Sequence, residues 1–122
     1  MKKILLVDDS REVLEAFKIA KERSEEFYKF WETIDQNVNV RFAKTYEDAK
    51  LILESNETFD WLLLDNNLNS DWVVNDGQKL IKILYNQFRN TNKINFKNIV
   101  CISSDEKARN RIDEMINKLK EI

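Results

Sequence analysis

The sequence predicts a doubly wound α/β fold, a parallel sheet of four strands with helices on both faces, and three observations carry that expectation. Three short apolar runs, Ile4–Val7, Trp61–Leu64 and Ile99–Ile102, are continuous rather than alternating, the pattern of strands buried on both sides. The stretches between them carry apolar residues at helical spacing. Strand-like and helix-like segments then alternate along the chain, which favours parallel pairing through right-handed crossovers. The 122 residues fit one domain spanning 1–122, long enough to enclose a core.

The elements follow in order. Ile4–Val7 is the first strand. Asp9, with Glu12 three residues on, forms a capping-box-like start to a long first helix. Val13, Phe17, Ala20, Ser24, Phe27, Trp31 and Ile34 recur along one face of it. A helix from Ser10 to Ile34 would run ~37 Å at 1.5 Å per residue, whereas a six-residue strand covers ~20 Å. It must therefore overhang the sheet or break near Ser24. The overhang carries Phe27, Tyr28, Phe30 and Trp31, which would pack on Phe59, Trp61 and Phe96 or else meet a partner. Val38–Ala43 alternates and suits an edge strand. Thr45 can cap a second helix bearing Ala49, Ile52 and Leu53. Leu80, Ile81, Leu84, Tyr85 and Phe88 mark a third, starting near Gly77, and Asn86–Asn98 reads as a polar connector. Ser104 or Asp105 can cap a fourth helix, with Ala108, Ile112, Met115, Ile116 and Leu119 on one face.

Composition removes several classes of function. With 20 basic and 22 acidic residues the net charge is −2, which gives no electrostatic reason to expect nucleic acid or an anionic membrane. The longest apolar runs are four residues, far short of the ~20 that a membrane span needs. Asp8 and Asp9 end the first run too early for a signal peptide, so a cytoplasmic location is expected. A single cysteine excludes an internal disulfide, and with no histidine there is no zinc site and no histidine-based catalysis. A metal would have to sit on oxygen ligands, hence Mg²⁺, Mn²⁺ or Ca²⁺. Cys101, inside an apolar run, reads as a small buried hydrophobe.

The carboxylates fall at matched places. Asp8 and Asp9 follow the first strand and Asp65 follows the third. In a parallel sheet all carboxyl ends share one edge, where ligands bind. Three carboxylates there would repel one another without a cation. With a hard divalent ion they become a site of the kind in which Mg²⁺ is held by one or two carboxylates, waters and a phosphate oxygen. Ser103 brings a hydroxyl to the same edge from the fourth strand.

These residues resemble the receiver domain of two-component response regulators. Ile4-Leu5-Leu6-Val7-Asp8-Asp9-Ser10 is similar to that family's first strand and acidic pair. Phe59-Asp60-Trp61-Leu62-Leu63-Leu64-Asp65 resembles its third strand, ending in the phospho-accepting aspartate. Glu47-Asp48-Ala49, Asp76-Gly77-Gln78-Lys79-Leu80 and Val100-Cys101-Ile102-Ser103-Ser104 are similar to its second helix, third helix and fourth strand. The resemblance implies a flavodoxin-like sheet with strand order 2-1-3-4. It implies Asp65 as phosphoacceptor and Mg²⁺ held by Asp8, Asp9, Asp65 and the backbone carbonyl of Asn67. Ser103 would donate to a phosphoryl oxygen, and Asn67 and Asp105 would flank the water that removes the group. A sensor histidine kinase or phosphotransfer protein would be the partner. The chemistry would be limited to self-phosphorylation and dephosphorylation, with output through protein contacts.

Departures from that family are as specific. Its members carry a fifth strand and fifth helix, and a lysine that pairs with the phosphoryl group. Here 19 residues follow Ser103, enough for one helix, and Lys107, Lys118 and Lys120 do not match the lysine by position. A pseudo-receiver that keeps the fold without the phosphoryl switch is the alternative. A second resemblance is to receiver-like proteins assigned to cyclic-phosphate processing. These also stop after the fourth helix and favour Leu-Asp-His-Asp-Leu where this chain has Leu64-Asp65-Asn66-Asn67-Leu68. A phosphoesterase of that kind would lack its histidine here. With no fifth strand, Asn98–Ser103 becomes an apolar sheet edge without charge or proline. The expectation is a homodimer through the fourth strand and fourth helix, or a covering loop drawn from Trp72–Val74 or Asn90–Phe96.

Overall fold

The computed structural model describes residues 2–8, 12–33, 38–55, 57–65, 76–91, 96–103 and 106–120. The elements are β1 (Lys2–Val7), α1 (Val13–Arg23), α2 (Glu25–Thr33), β2 (Val38–Ala43), α3 (Tyr46–Glu54), β3 (Phe59–Leu64), α4 (Asp76–Thr91), β4 (Phe96–Cys101) and α5 (Glu106–Lys120). The strands form one parallel sheet in the order β2-β1-β3-β4, as expected from the sequence. Among the described residues five helices appear rather than four, because the first helical stretch is divided. The helix expected fourth from the sequence is therefore α5.

Alternation along the strands sorts the core into two layers. Leu5, Val7, Leu62, Leu64, Ile99 and Cys101 face α3, α4 and α5, where they meet Leu53, Leu80, Leu84, Ile112 and Ile116. Ile4, Leu6, Trp61, Leu63, Val100 and Ile102 face α1 and α2, where they meet Ala16, Phe17, Ala20 and Phe27. Among the described residues the helical cover of the second layer comes from the first helical stretch, and this gives the division of that stretch its purpose.

Ser24 makes the break. Its backbone is extended (φ −133°, ψ 112°), and its N–H still donates to the Ala20 carbonyl at 2.9 Å, closing α1. Its hydroxyl accepts from the Phe27 N–H at 3.1 Å, opening α2. One serine thus caps two helices, satisfying groups that a helix end leaves orphaned. The turn folds the would-be overhang back onto the sheet. Phe27 is fully buried, with its ring 5.1 Å from Trp61 edge-on, and Phe30 lies 5.8 Å from Trp61. Trp31 closes on Phe17 at 4.7 Å. Of the three expected docking rings only Trp61 serves, since Phe59 and Phe96 belong to the opposite layer. Replacing Ser24 with alanine should cost about 1 kcal/mol in urea unfolding, the usual value of a lost N-cap. An unchanged midpoint would show that the break does not depend on the hydroxyl.

Two local expectations need correction. The first helix does not start on an Asp9–Glu12 capping box. α1 begins at Val13 with Glu12 in the cap position and no side-chain cap bond, and Asp9 lies outside the described residues. The segment Asn86–Asn98 is not all connector, because α4 continues to Thr91 and β4 starts at Phe96. Thr45 does cap α3, accepting from the Asp48 N–H at 3.1 Å.

At the amino edge, ion pairs tie the strands. Asp60 accepts from the Lys3 N–H at 2.9 Å and pairs with Lys97 at 3.5 Å. Glu57 meets Lys3 at 3.0 Å and Arg41 at 3.3 Å.

The β4 edge is not bare. In this register the N–H and C=O groups of the odd-numbered residues of β4 point away from β3. Arg23, at the end of α1, donates from Nη1 to the outward carbonyl of Cys101 at 3.1 Å. Lys97 adds a charge on the same strand. One outward carbonyl of the edge through which the homodimer of fourth strand and fourth helix is expected is thus taken by Arg23, while Asn98–Ser103 itself carries no charge. Charge on an edge is one of the ways by which native sheets block pairing.

Candidate functional site

The register places the site. Val7, Ala43, Leu64 and Cys101 stand in one row across the carboxyl end of the sheet. Asp8 and Asp65 are the next residues on the two central strands. The Asp8 N–H donates to the Ala43 carbonyl at 3.1 Å, and the Asp65 N–H donates to the Val7 carbonyl at 2.9 Å. The ladder thus extends one residue past each strand and holds both acids at a strand spacing of ~4.8 Å. Both continue the alternation of the α1–α2 side, Asp8 after Ile4 and Leu6, Asp65 after Trp61 and Leu63. Each is buried, Asp8 at 3% exposure and Asp65 at 9%. Ser103, 2% exposed, sits beyond the end of β4 one strand over. The Ile102 N–H donates to the Leu64 carbonyl at 2.9 Å and fixes the approach to it.

Three of the sequence-derived site residues, Asp8, Asp65 and Ser103, are therefore brought to one edge. Asp9, Asn67 and Asp105 lie outside the described residues, as does Trp72–Val74. Among the described residues, no group of three acidic, histidine or cysteine side chains gathers as a metal cluster. The donor set at this edge is two buried carboxylates on adjacent strand ends, with the buried Ser103 at the end of the next strand. Hard oxygen donors of this kind suit Mg²⁺, which commonly takes only one or two protein carboxylates.

Two neighbours carry no clear signal in the sequence. Lys44 follows Ala43 and is in register with Asp8, exposed at the end of the edge strand. Its position one residue past a strand is the same signal that marks Asp8, but a lysine there is equally at home as a solvated cation. Arg23 reaches the end of β4 from α1 and acts electrostatically on Asp113 of α5 as well as on Cys101.

Cys101 itself is inert in this setting. Burial pushes its thiol up to about 11, with Asp113 and Asp65 adding to the rise and the Ser103 backbone bond and Arg23 opposing it. The raised value stabilises the fold below the unfolded thiol's range near 9, and that contribution is lost as pH climbs through about 11. Iodoacetamide should label the native protein slowly even at pH 9, where the unfolded chain in urea is labelled fast. Equal rates would contradict the burial.

A four-stranded parallel sheet with paired acids and a hydroxyl at its carboxyl edge defines a receiver-type domain. Residues 3–118 match the family described as the cyclic-phosphate processing receiver domain, and the chain belongs to that family. Among solved structures it is similar to one titled "MaeR response regulator bound to beryllium trifluoride". The two are 19% identical with a TM-score of 0.51, over 94% of this chain and 77% of that one. Likeness at that identity concerns the fold. A comparison with curated proteins returns no match. No helix among the described residues is long and apolar enough to cross a membrane.

Proposed function

We propose that the carboxyl edge is a Mg²⁺-dependent phosphoryl-accepting site with Asp65 as acceptor, acting through protein contacts. The observation that carries this reading is the burial of Asp8 and Asp65 side by side, with the Ser103 hydroxyl one strand away. Carboxylates at adjacent strand ends are the kind of oxygen donors that Mg²⁺ takes, one or two at a time, together with water and phosphate oxygens. Asp8, Asp9, Asp65 and the Asn67 carbonyl are the proposed ligands. The ion would supply neutralisation of the incoming phosphoryl charge. Asp65 offers the carboxylate oxygen, held in place by its backbone bond to β1. Ser103 donates its hydroxyl to a phosphoryl oxygen, and Asn67 and Asp105 border the path of water to the acyl phosphate. The donor would be a sensor histidine kinase or a phosphotransfer protein.

A second reading is favoured by the family itself, whose description names cyclic-phosphate processing. With no histidine in the chain and asparagine at position 66, that chemistry would have to proceed without an imidazole acid. One experiment separates the readings. The protein is incubated with acetyl phosphate and Mg²⁺ and read by intact mass, and in parallel with a nucleoside cyclic phosphate, read by chromatography. A Mg²⁺-dependent phosphoryl adduct supports acceptance on Asp65. Turnover of the cyclic phosphate without an adduct favours processing. Neither, with Mg²⁺ still bound, leaves a pseudo-receiver.

A further inference from the structure

The sheet has two edges, and the described residues treat them differently. On β4 the outward carbonyl of Cys101 is taken by Arg23. On β2 the Asp8 N–H bonds the Ala43 carbonyl, so Asn39, Arg41 and Ala43 direct their backbone groups toward β1. Val38, Val40 and Phe42 therefore direct their N–H and C=O groups outward, and no described residue pairs with them across that edge. Their side chains add to the exposure. Val38 and Val40 are half-buried, Phe42 is 44% exposed, and Leu51 on the neighbouring α3 is 70% exposed. A groove of about 570 Å³ runs beside this edge, lined by Arg41, Phe42, Leu51, Ile52 and Glu57 among others.

We infer that β2 is a self-association edge, pairing antiparallel with β2 of a second copy about a two-fold axis through Val40 to give a continuous eight-stranded sheet. The reason for choosing a second copy is self-complementarity. Centred on Val40, the register sets Val40 against Val40, and Val38 against Phe42 of the other copy. All are outward-facing positions, which exchange both backbone hydrogen bonds in an antiparallel ladder. On one side of the sheet this forms a row of apolar cross-strand pairs. On the other side Asn39 stands against Arg41, so no charge directly opposes a like charge. The two Arg41 side chains, diagonal neighbours across the axis, are each already paired with Glu57 of their own chain at 3.3 Å. Both α3 helices lie on the same side of the joined sheet and bring Leu51 toward the seam. The contact is isologous and closes on itself, which leaves no further β2 edge for fibre growth.

The register makes the test specific. Sedimentation equilibrium should show a dimer, and amide exchange by NMR should protect Val38, Val40 and Phe42 only at concentrations where it forms. Asn39, Arg41 and Ala43 stay protected on dilution, because their ladder is internal. Val40→Pro removes one outward N–H without touching the β1 ladder, a placement that edge strands tolerate, and should abolish the dimer. Asn39→Lys, at an exposed position, sets two like-charge pairs across the axis and should weaken it about tenfold, whereas Asn39→Asp should tighten it. Lys97→Pro makes the equivalent change on the β4 edge and should leave the dimer intact. A monomer at every concentration would overturn the inference. So would a dimer that ignores Val40→Pro and Asn39→Lys, or one lost with Lys97→Pro.

Discussion

Asp65→Asn is expected to remove phosphoryl incorporation altogether, a loss of at least about a hundredfold against the unsubstituted chain, because an amide oxygen cannot carry the covalent acyl phosphate. The substitution is close to isosteric, so the site keeps its shape. The Asp65 N–H bond to the Val7 carbonyl is a backbone contact and survives. Asp8→Asn separates acceptor from ligand, since it leaves Asp65 in place while removing a negative charge at the neighbouring strand end. Incorporation should then fall in proportion to weakened Mg²⁺ binding and recover in part at high Mg²⁺. Ser103→Ala should slow incorporation without abolishing it, because the hydroxyl donates to the phosphoryl group and is not itself bonded to it. Intact mass with Mg²⁺ titration reads all three. Label that survives Asp65→Asn would move the acceptor elsewhere, and the assignment of this edge would fail with it.

How much of the fold and site is legible in the sequence follows from what each residue type can signal alone. The strands are visible because Ile4–Val7, Trp61–Leu64 and Ile99–Ile102 are continuous apolar runs, too short for helices and too uniform for strands with one wet face. Their ends locate Asp8, Asp65 and Ser103 for the same reason: the residue after a parallel strand is at the ligand edge whatever the helices do. The break at Ser24 is legible only as one of two options, because serine is compatible with a helix interior and with a cap. Tertiary contact of Phe27 and Phe30 with Trp61 decides it. Arg23 is invisible as an edge cap, since an arginine in the last turn of an amphipathic helix ordinarily reads as a solvated cation favourable to the helix dipole. Its partner, a backbone carbonyl 78 positions along the chain, has no sequence signature.

Phe27→Ala is expected to destabilise the fold by about 3–5 kcal/mol, the range for truncating a buried aromatic. Folding free energies are themselves about 5–15 kcal/mol, so the variant would stand near the unfolding threshold. The magnitude rests on where the ring sits. Phe27 is fully buried and meets Phe17 at 6.1 Å, Phe30 at 5.9 Å, Trp31 at 6.4 Å and Trp61 at 5.1 Å. It joins α1, α2 and β3 in one contact. Among the described residues these rings tie α2 to the sheet, and its nine residues are too few to be helical alone. Removing the ring therefore opens a cavity and also releases the helix that covers Trp61. Two controls make the result specific. Tyr28→Ala, one position along and 49% exposed, should cost well under 1 kcal/mol. Phe27→Leu, which keeps most of the volume, should cost roughly 1–2 kcal/mol. Urea unfolding followed by tryptophan emission is suited to this test, since Trp31 and Trp61 both touch the ring. If Phe27→Ala and Tyr28→Ala proved equally mild, α2 would not be packed on β3, and the account of the divided helix as a cover for the sheet would be wrong.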